Sequence, residues 1–105
     1  MAIVYIDNLQ RKSIISKDKS EKLLHTLLKE TDWMHACGGK GRCTSCKALI
    51  LEGMENISDR TKSEKQFMNL ERLKEQERLT CQVTIEGDIT IYVQKENRLP
   101  HLTYN

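Results

Sequence analysis

At 105 residues the chain is the size of one domain, covering 1–105, and large enough to bury a core without covalent staples. Its 17 basic and 15 acidic residues leave a net charge of +2, which excludes the basic excess of a nucleic-acid binder. No apolar run approaches the roughly 18 residues of a membrane span, and the start MAIVYIDNLQRK lacks a secretory leader, so a cytoplasmic protein without a membrane partner is expected.

In chain order, AIVYI at 2–6 reads as a strand, and a second around 11–16 completes an N-terminal hairpin. Asp18 or Ser20 is positioned to cap a helix over about 20–30, whose buried face is Leu23, Leu24, Leu27 and Leu28; Glu21 gives Asp18 a capping-box partner. KALILEG at 47–53 reads as a strand ended by Gly53. Thr61 with Glu64 forms a second capping box, opening a helix to about 77 on the stripe Phe67, Leu70 and Leu73. CQVTIEGDITIYV alternates strictly, predicting a hairpin that turns at EGD and points Val83, Ile85, Ile89, Ile91 and Val93 inward. The tail from 94 is polar and expected at the surface. Strands and helices mixed without repeated βαβ units predict an α+β fold.

The chemistry concentrates in ACGGKGRCTSC, residues 36–46. The cysteines run Cys37-x5-Cys43-x2-Cys46, followed 34 residues later by Cys81. Four thiols can be disulfides, zinc ligands, iron–sulfur ligands or unrelated buried cysteines. A reducing cytosol weighs against disulfides. Zinc sites usually use two short cysteine pairs, and only Cys43 and Cys46 make one. A binuclear iron–sulfur cluster is wider and takes ligands from an extended loop plus one distant element. Its sulfides also need backbone N–H groups close by. Gly38, Gly39 and Gly41 allow that approach, and the hydroxyls of Thr44 and Ser45 add donors. Spacing and glycines therefore point to the cluster.

CGGKGRCTSC with RLTCQ downstream resembles the cluster-binding motif of β-grasp [2Fe–2S] ferredoxins, with the five-residue first spacing of the adrenodoxin-like and bacterial-reductase branches. The resemblance implies a mixed sheet packed on a helix, with the cluster at one edge. It also implies Cys37 and Cys43 on one iron and Cys46 and Cys81 on the other. The implied function is one-electron carriage between a reductase and an acceptor enzyme, by a monomer that is not itself an enzyme. The alternatives are an electron donor to iron–sulfur cluster assembly and a zinc-binding interaction module. One departure is electrostatic: such ferredoxins tend to be acidic, whereas Lys40, Arg42 and Lys47 flank the ligands here and are expected to offset cluster charge.

The remaining candidates have plainer readings. His35 is near Cys37, but four cysteines complete the ligand set, leaving it a loop or packing role. His25 and His101 read as structural or exposed, and Trp33 and Met34 as packing beneath the loop. The second helix, mixing Lys62, Lys65, Arg72 and Lys74 with four glutamates, reads as a solvated face before a docking surface.

Overall fold

The computed structural model describes residues 2–9, 12–16, 20–33, 46–94, 97–100, 102 and 104. Five strands form one mixed sheet: β1 (Ala2–Ile6), β2 (Lys12–Ser16), β3 (Lys47–Glu52), β4 (Glu77–Leu79) and β5 (Ile89–Tyr92). Their order is β2-β1-β5-β3-β4, with β1 and β5 parallel and the other pairs antiparallel. The helices are α1 (Leu23–Leu28) and α2 (Lys62–Asn69), with a short 3-10 turn at Met54–Asn56. This is the α+β class that the alternation of elements implied.

β1 alternates as its sequence requires: Ala2, Val4 and Ile6 are buried while Ile3 and Tyr5 turn outward. The inward side joins Ile14, Ala48, Ile50, Leu79, Ile89 and Ile91 in one core with Leu23, Leu24 and Leu27 of α1. A six-residue helix is far too short to hold itself. Burial of these three leucines, about 1.5–3 kcal/mol each relative to exposure, is what keeps α1 helical.

The start of α1 differs from the expectation. Its N-cap is Lys22, which makes no side-chain capping bond, and the helix is six residues long. The Leu23 and Leu24 N–H groups, which a capping side chain would otherwise serve, donate to the Val83 and Thr80 carbonyls at 2.9 Å each. Asp18 lies outside the described residues. Glu21 instead accepts from Thr26 Oγ1 (2.8 Å) and pairs with Lys29.

The Thr61 capping box is present: Glu64 N–H donates to Thr61 Oγ1 and Thr61 N–H to Glu64 Oε1. α2 stops at Asn69, however, and not near 77. Glu71 takes a left-handed φ of 59°, Arg72 N–H donates to the Phe67 carbonyl and Glu71 N–H to that of Met68. These two bonds are a Schellman stop, here without the usual glycine. Leu70, expected on the buried stripe, is therefore 64% exposed.

Glu77, predicted as the end of that helix, instead opens β4, an edge strand with two buried charges. Arg78 holds Glu64 through two bonds, Nε to Oε2 (2.7 Å) and the terminal nitrogen to Oε1 (3.0 Å), and both side chains are buried. Such a fork-to-carboxylate pair allows charge inside a core. Arg60 donates to the carbonyls of Glu77 and Glu75, covering part of the open edge.

The predicted C-terminal hairpin is also absent. Val83, Ile85, Ile89, Ile91 and Val93 are all buried as expected. Yet β5 pairs with β1 on one side and β3 on the other, leaving Ile85 to bridge Ile57. The described part of the tail does not lie wholly at the surface either. Asn97 is buried, Leu102 and Tyr104 pack on the core, and Arg98 stacks over the rings of Tyr92 and Tyr104.

Candidate metal centre

Two of the four predicted ligands, Cys46 and Cys81, fall among the described residues, and the fold brings them together. Cys46 immediately precedes β3, while Cys81 sits in the turn that follows β4. The antiparallel register pairs Lys47 with Leu79, so the chain ends carrying the two cysteines emerge side by side. Both are buried and neither is in a disulfide. The Cys46 side chain interacts with that of Cys81. That interaction, followed by burial, holds the Cys46 thiol well above its ordinary value.

The backbone of Cys46 is fixed from two directions. Its carbonyl accepts from the indole Nε1 of Trp33 at 3.0 Å and from Thr80 Oγ1 at 2.8 Å. A carbonyl has two lone pairs, and both are used. Thr80 also ties the segment before Cys81 directly to Cys46. The Cys81 turn is closed by Gln82 N–H donating to the Leu79 carbonyl (2.9 Å) and anchored to α1 through Thr80 and Val83. The Gln82 side-chain Nε2 donates to Cys81 Sγ at 3.5 Å.

A buried charge network backs this arrangement. Lys47, read from sequence as a cation facing the ligands, reaches Glu77 at 3.5 Å with its side chain only 12% exposed. Glu64 accepts from Leu79 N–H at 3.1 Å, two residues before Cys81, besides pairing with Arg78. Burial alone would push the Glu64 carboxyl up. The bonds from Arg78, Thr61 and Leu79, with the Arg78 charge, outweigh it and hold the group below the usual carboxylate value.

Cys37, Cys43, Gly38, Gly39, Gly41, Lys40, Arg42, Thr44, Ser45, His35 and Met34 lie outside the described residues. Trp33 is buried as expected but does more than pack, since it holds the Cys46 carbonyl. His25 is exposed. Sequence reasoning missed Thr80 and Gln82, although both flank Cys81 in RLTCQ; a polar residue on each side of a buried cysteine is the signal that was there to use.

A mixed α+β sheet with two buried cysteines meeting at the end of a strand pair is the arrangement of a ferredoxin-type metal domain. The chain belongs to the 2Fe-2S iron-sulfur cluster binding domain family, which it matches over residues 7–86. It is 44% identical over 61 residues to 2Fe-2S ferredoxin-5 of Aquifex aeolicus, covering 55% of this chain and 64% of that protein. It is 33% identical over 76 residues to a component of the Na(+)-translocating NADH-quinone reductase of Psychrobacter cryohalolentis, covering 71% of this chain and 18% of that one. It thus spans less than two thirds of either relative's length. In fold it is similar to the ISC-like [2Fe-2S] ferredoxin FdxB of Pseudomonas putida JCM 20004, with a TM-score of 0.73 at 24% identity over 90% of this chain and 94% of that one. The fold is therefore the β-grasp of ferredoxins, and the cofactor of the family is a [2Fe–2S] cluster. The chemistry of the donor set agrees: two buried cysteines outside any disulfide, brought side by side by β3 and β4, suit thiolate ligation. Among the described residues no helix is long and apolar enough to cross a membrane.

Proposed function

We propose that residues 1–105 act as one ferredoxin-type domain, a one-electron carrier holding its cluster through Cys37, Cys43, Cys46 and Cys81. The observation that supports this reading is the juxtaposition of buried Cys46 and Cys81, whose segments are joined by the β3–β4 register and by the bond from Thr80 Oγ1 to the Cys46 carbonyl. A bound [2Fe–2S] cluster supplies the one-electron chemistry. Trp33 and Thr80 hold the Cys46 backbone so that its sulfur is already placed for ligation. Ligation needs thiolates, so cluster loading is favoured as the pH rises. Burial of Leu79 and Val83 beside Cys81 keeps water away from that side. Gly38, Gly39 and Gly41 are the residues that would let a backbone come close to the cluster, and Thr44 and Ser45 would supply hydroxyl donors for it. Lys40 and Arg42 offset negative charge; replacing both with glutamine lowers the midpoint potential at low salt, and an unchanged potential would refute that role.

The chain performs no bond-making step and is not an enzyme. Electrons arrive from a separate reductase and leave to a separate acceptor oxidoreductase, with the carrier a cytoplasmic monomer. Likeness to part of an NADH-quinone reductase supports exchange with oxidoreductase partners. The test is a visible spectrum of anaerobically purified protein, with iron and acid-labile sulfide counts. A coloured sample with about two of each per chain is expected. A colourless protein holding zinc and no sulfide would overturn the proposal.

A further inference from the structure

The turn that carries Cys81 also carries an amide aimed at its sulfur. Gln82 is half-buried, and its Nε2 stands 3.5 Å from Cys81 Sγ. Its position is not left to a mobile side chain alone. Gln82 N–H donates to the Leu79 carbonyl, while the carbonyls of Thr80 and Val83 are both taken by the first N–H groups of α1. The backbone on each side of Gln82 is therefore held to the same helix, which fixes the point from which its amide reaches the sulfur.

A carboxamide N–H is a neutral donor, so its effect on a sulfur depends on how much negative charge that sulfur carries. On an iron-bound thiolate that charge is larger than on a thiol, and it grows when one electron is added to the centre. A donor fixed beforehand stabilises the reduced form more than the oxidised one and needs no reorganisation when the electron arrives. The lever is hydrogen bonding to a ligand sulfur, one of the recognised ways a protein sets an iron–sulfur potential.

We infer that Gln82 is a positioning residue for the redox reaction, its side-chain amide raising the reduction potential through a hydrogen bond to Cys81 Sγ. The step it biases is the uptake of one electron from an external donor, with no proton transferred and no bond to the amide made or broken. The inference rests on the reading of Cys81 as a ligand.

The experiment is a dithionite redox titration of holoprotein for wild type, Gln82→Leu and Gln82→Glu, each with iron and sulfide counted first. Leucine removes the donor. The reduction equilibrium should move against the reduced form by roughly tenfold, or about 59 mV for a one-electron couple. Glutamate keeps the shape but presents a carboxylate, so its loss at pH 7 should exceed that of leucine. It should recover towards wild type as the pH falls and the carboxyl protonates into an O–H donor. A purely structural role would not give this order or this pH dependence. Resonance Raman supplies an independent readout: an iron–thiolate stretch sensitive to solvent deuterium in wild type should lose that sensitivity in Gln82→Leu. Fully loaded variants with reduction equilibria within about threefold of wild type would overturn the inference alone. Failure of both variants to load would also overturn it, by assigning Gln82 a structural role. A Cys81→Ser protein with the wild-type spectrum would instead overturn the ligand reading beneath it.

Discussion

The Cys46 carbonyl offers the most discriminating test of how the site is built, because two donors from distant segments converge on one buried atom. Thr80→Val removes Oγ1 at nearly constant volume, and Trp33→Phe removes the indole N–H. Either substitution alone leaves the carbonyl one partner, so each should cost about 1 kcal/mol, the net worth of one hydrogen bond. Trp33→Phe adds a packing loss, since the ring is only 5% exposed. Together they leave the carbonyl without either donor in a buried setting. The desolvation penalty of about 1–3 kcal/mol then appears on top. The double variant should therefore lose more than the sum of the singles by about 1 kcal/mol, and the packing loss cancels from the cycle. The assay is denaturant unfolding of holoprotein, with the rate of cluster bleaching followed in parallel. Strict additivity, or bleaching rates unchanged in all three variants, would refute the view that the two donors jointly hold this ligand.

Removing Arg78 by Arg78→Met strands the Glu64 carboxylate in the core and should cost about 3–5 kcal/mol in thermal or denaturant unfolding; Glu64→Gln in the same background should restore part of it. Because the Glu64 carboxyl is held below its usual value, its stabilisation is complete above the unfolded glutamate pKa of about 4.3 and is lost as the pH falls through the depressed folded value. The stability gap between wild type and Glu64→Gln should accordingly be constant from about pH 5 to 8 and narrow in more acid buffer; a gap that widens there would contradict this. Glu71→Gly should stabilise the protein by about 0.5–1 kcal/mol in denaturant melts, since a left-handed residue without glycine carries strain of roughly that size or more.

What the sequence disclosed followed from period and punctuation. β1, β2 and β3 announce themselves by branched side chains and a terminal Gly53, whose φ of 88° brings it so near Asp88 that a Cβ would stand 2.4 Å from that carbonyl. The Thr61–Glu64 box located the start of α2 within a residue. Its end was hidden because Glu71, and not a glycine, occupies the left-handed position. β4 was hidden because Glu77 and Arg78 look like a helix surface until Lys47 and Glu64 are found to neutralise them. The alternation from 83 to 93 gave burial correctly but not pairing, since period alone cannot say that β5 would be claimed by β1 and β3. At the site, Cys46 and Cys81 lie beside each other at the paired ends of β3 and β4. Thr80 and Gln82 flank Cys81 in RLTCQ, but what they bond to, like the partner of the Trp33 indole, shows only once the turn after β4 is placed against α1 and β3.

The central claim is that four cysteine sulfurs, including that of residue 81, surround a pair of sulfide-bridged irons. X-ray absorption at the iron edge measures this directly on the intact protein. The account predicts four sulfur neighbours and one iron neighbour per metal in wild type, with one sulfur exchanged for oxygen on half of the irons in Cys81→Ser. An iron shell unaltered by Cys81→Ser, or a metal with no metal neighbour, would contradict it.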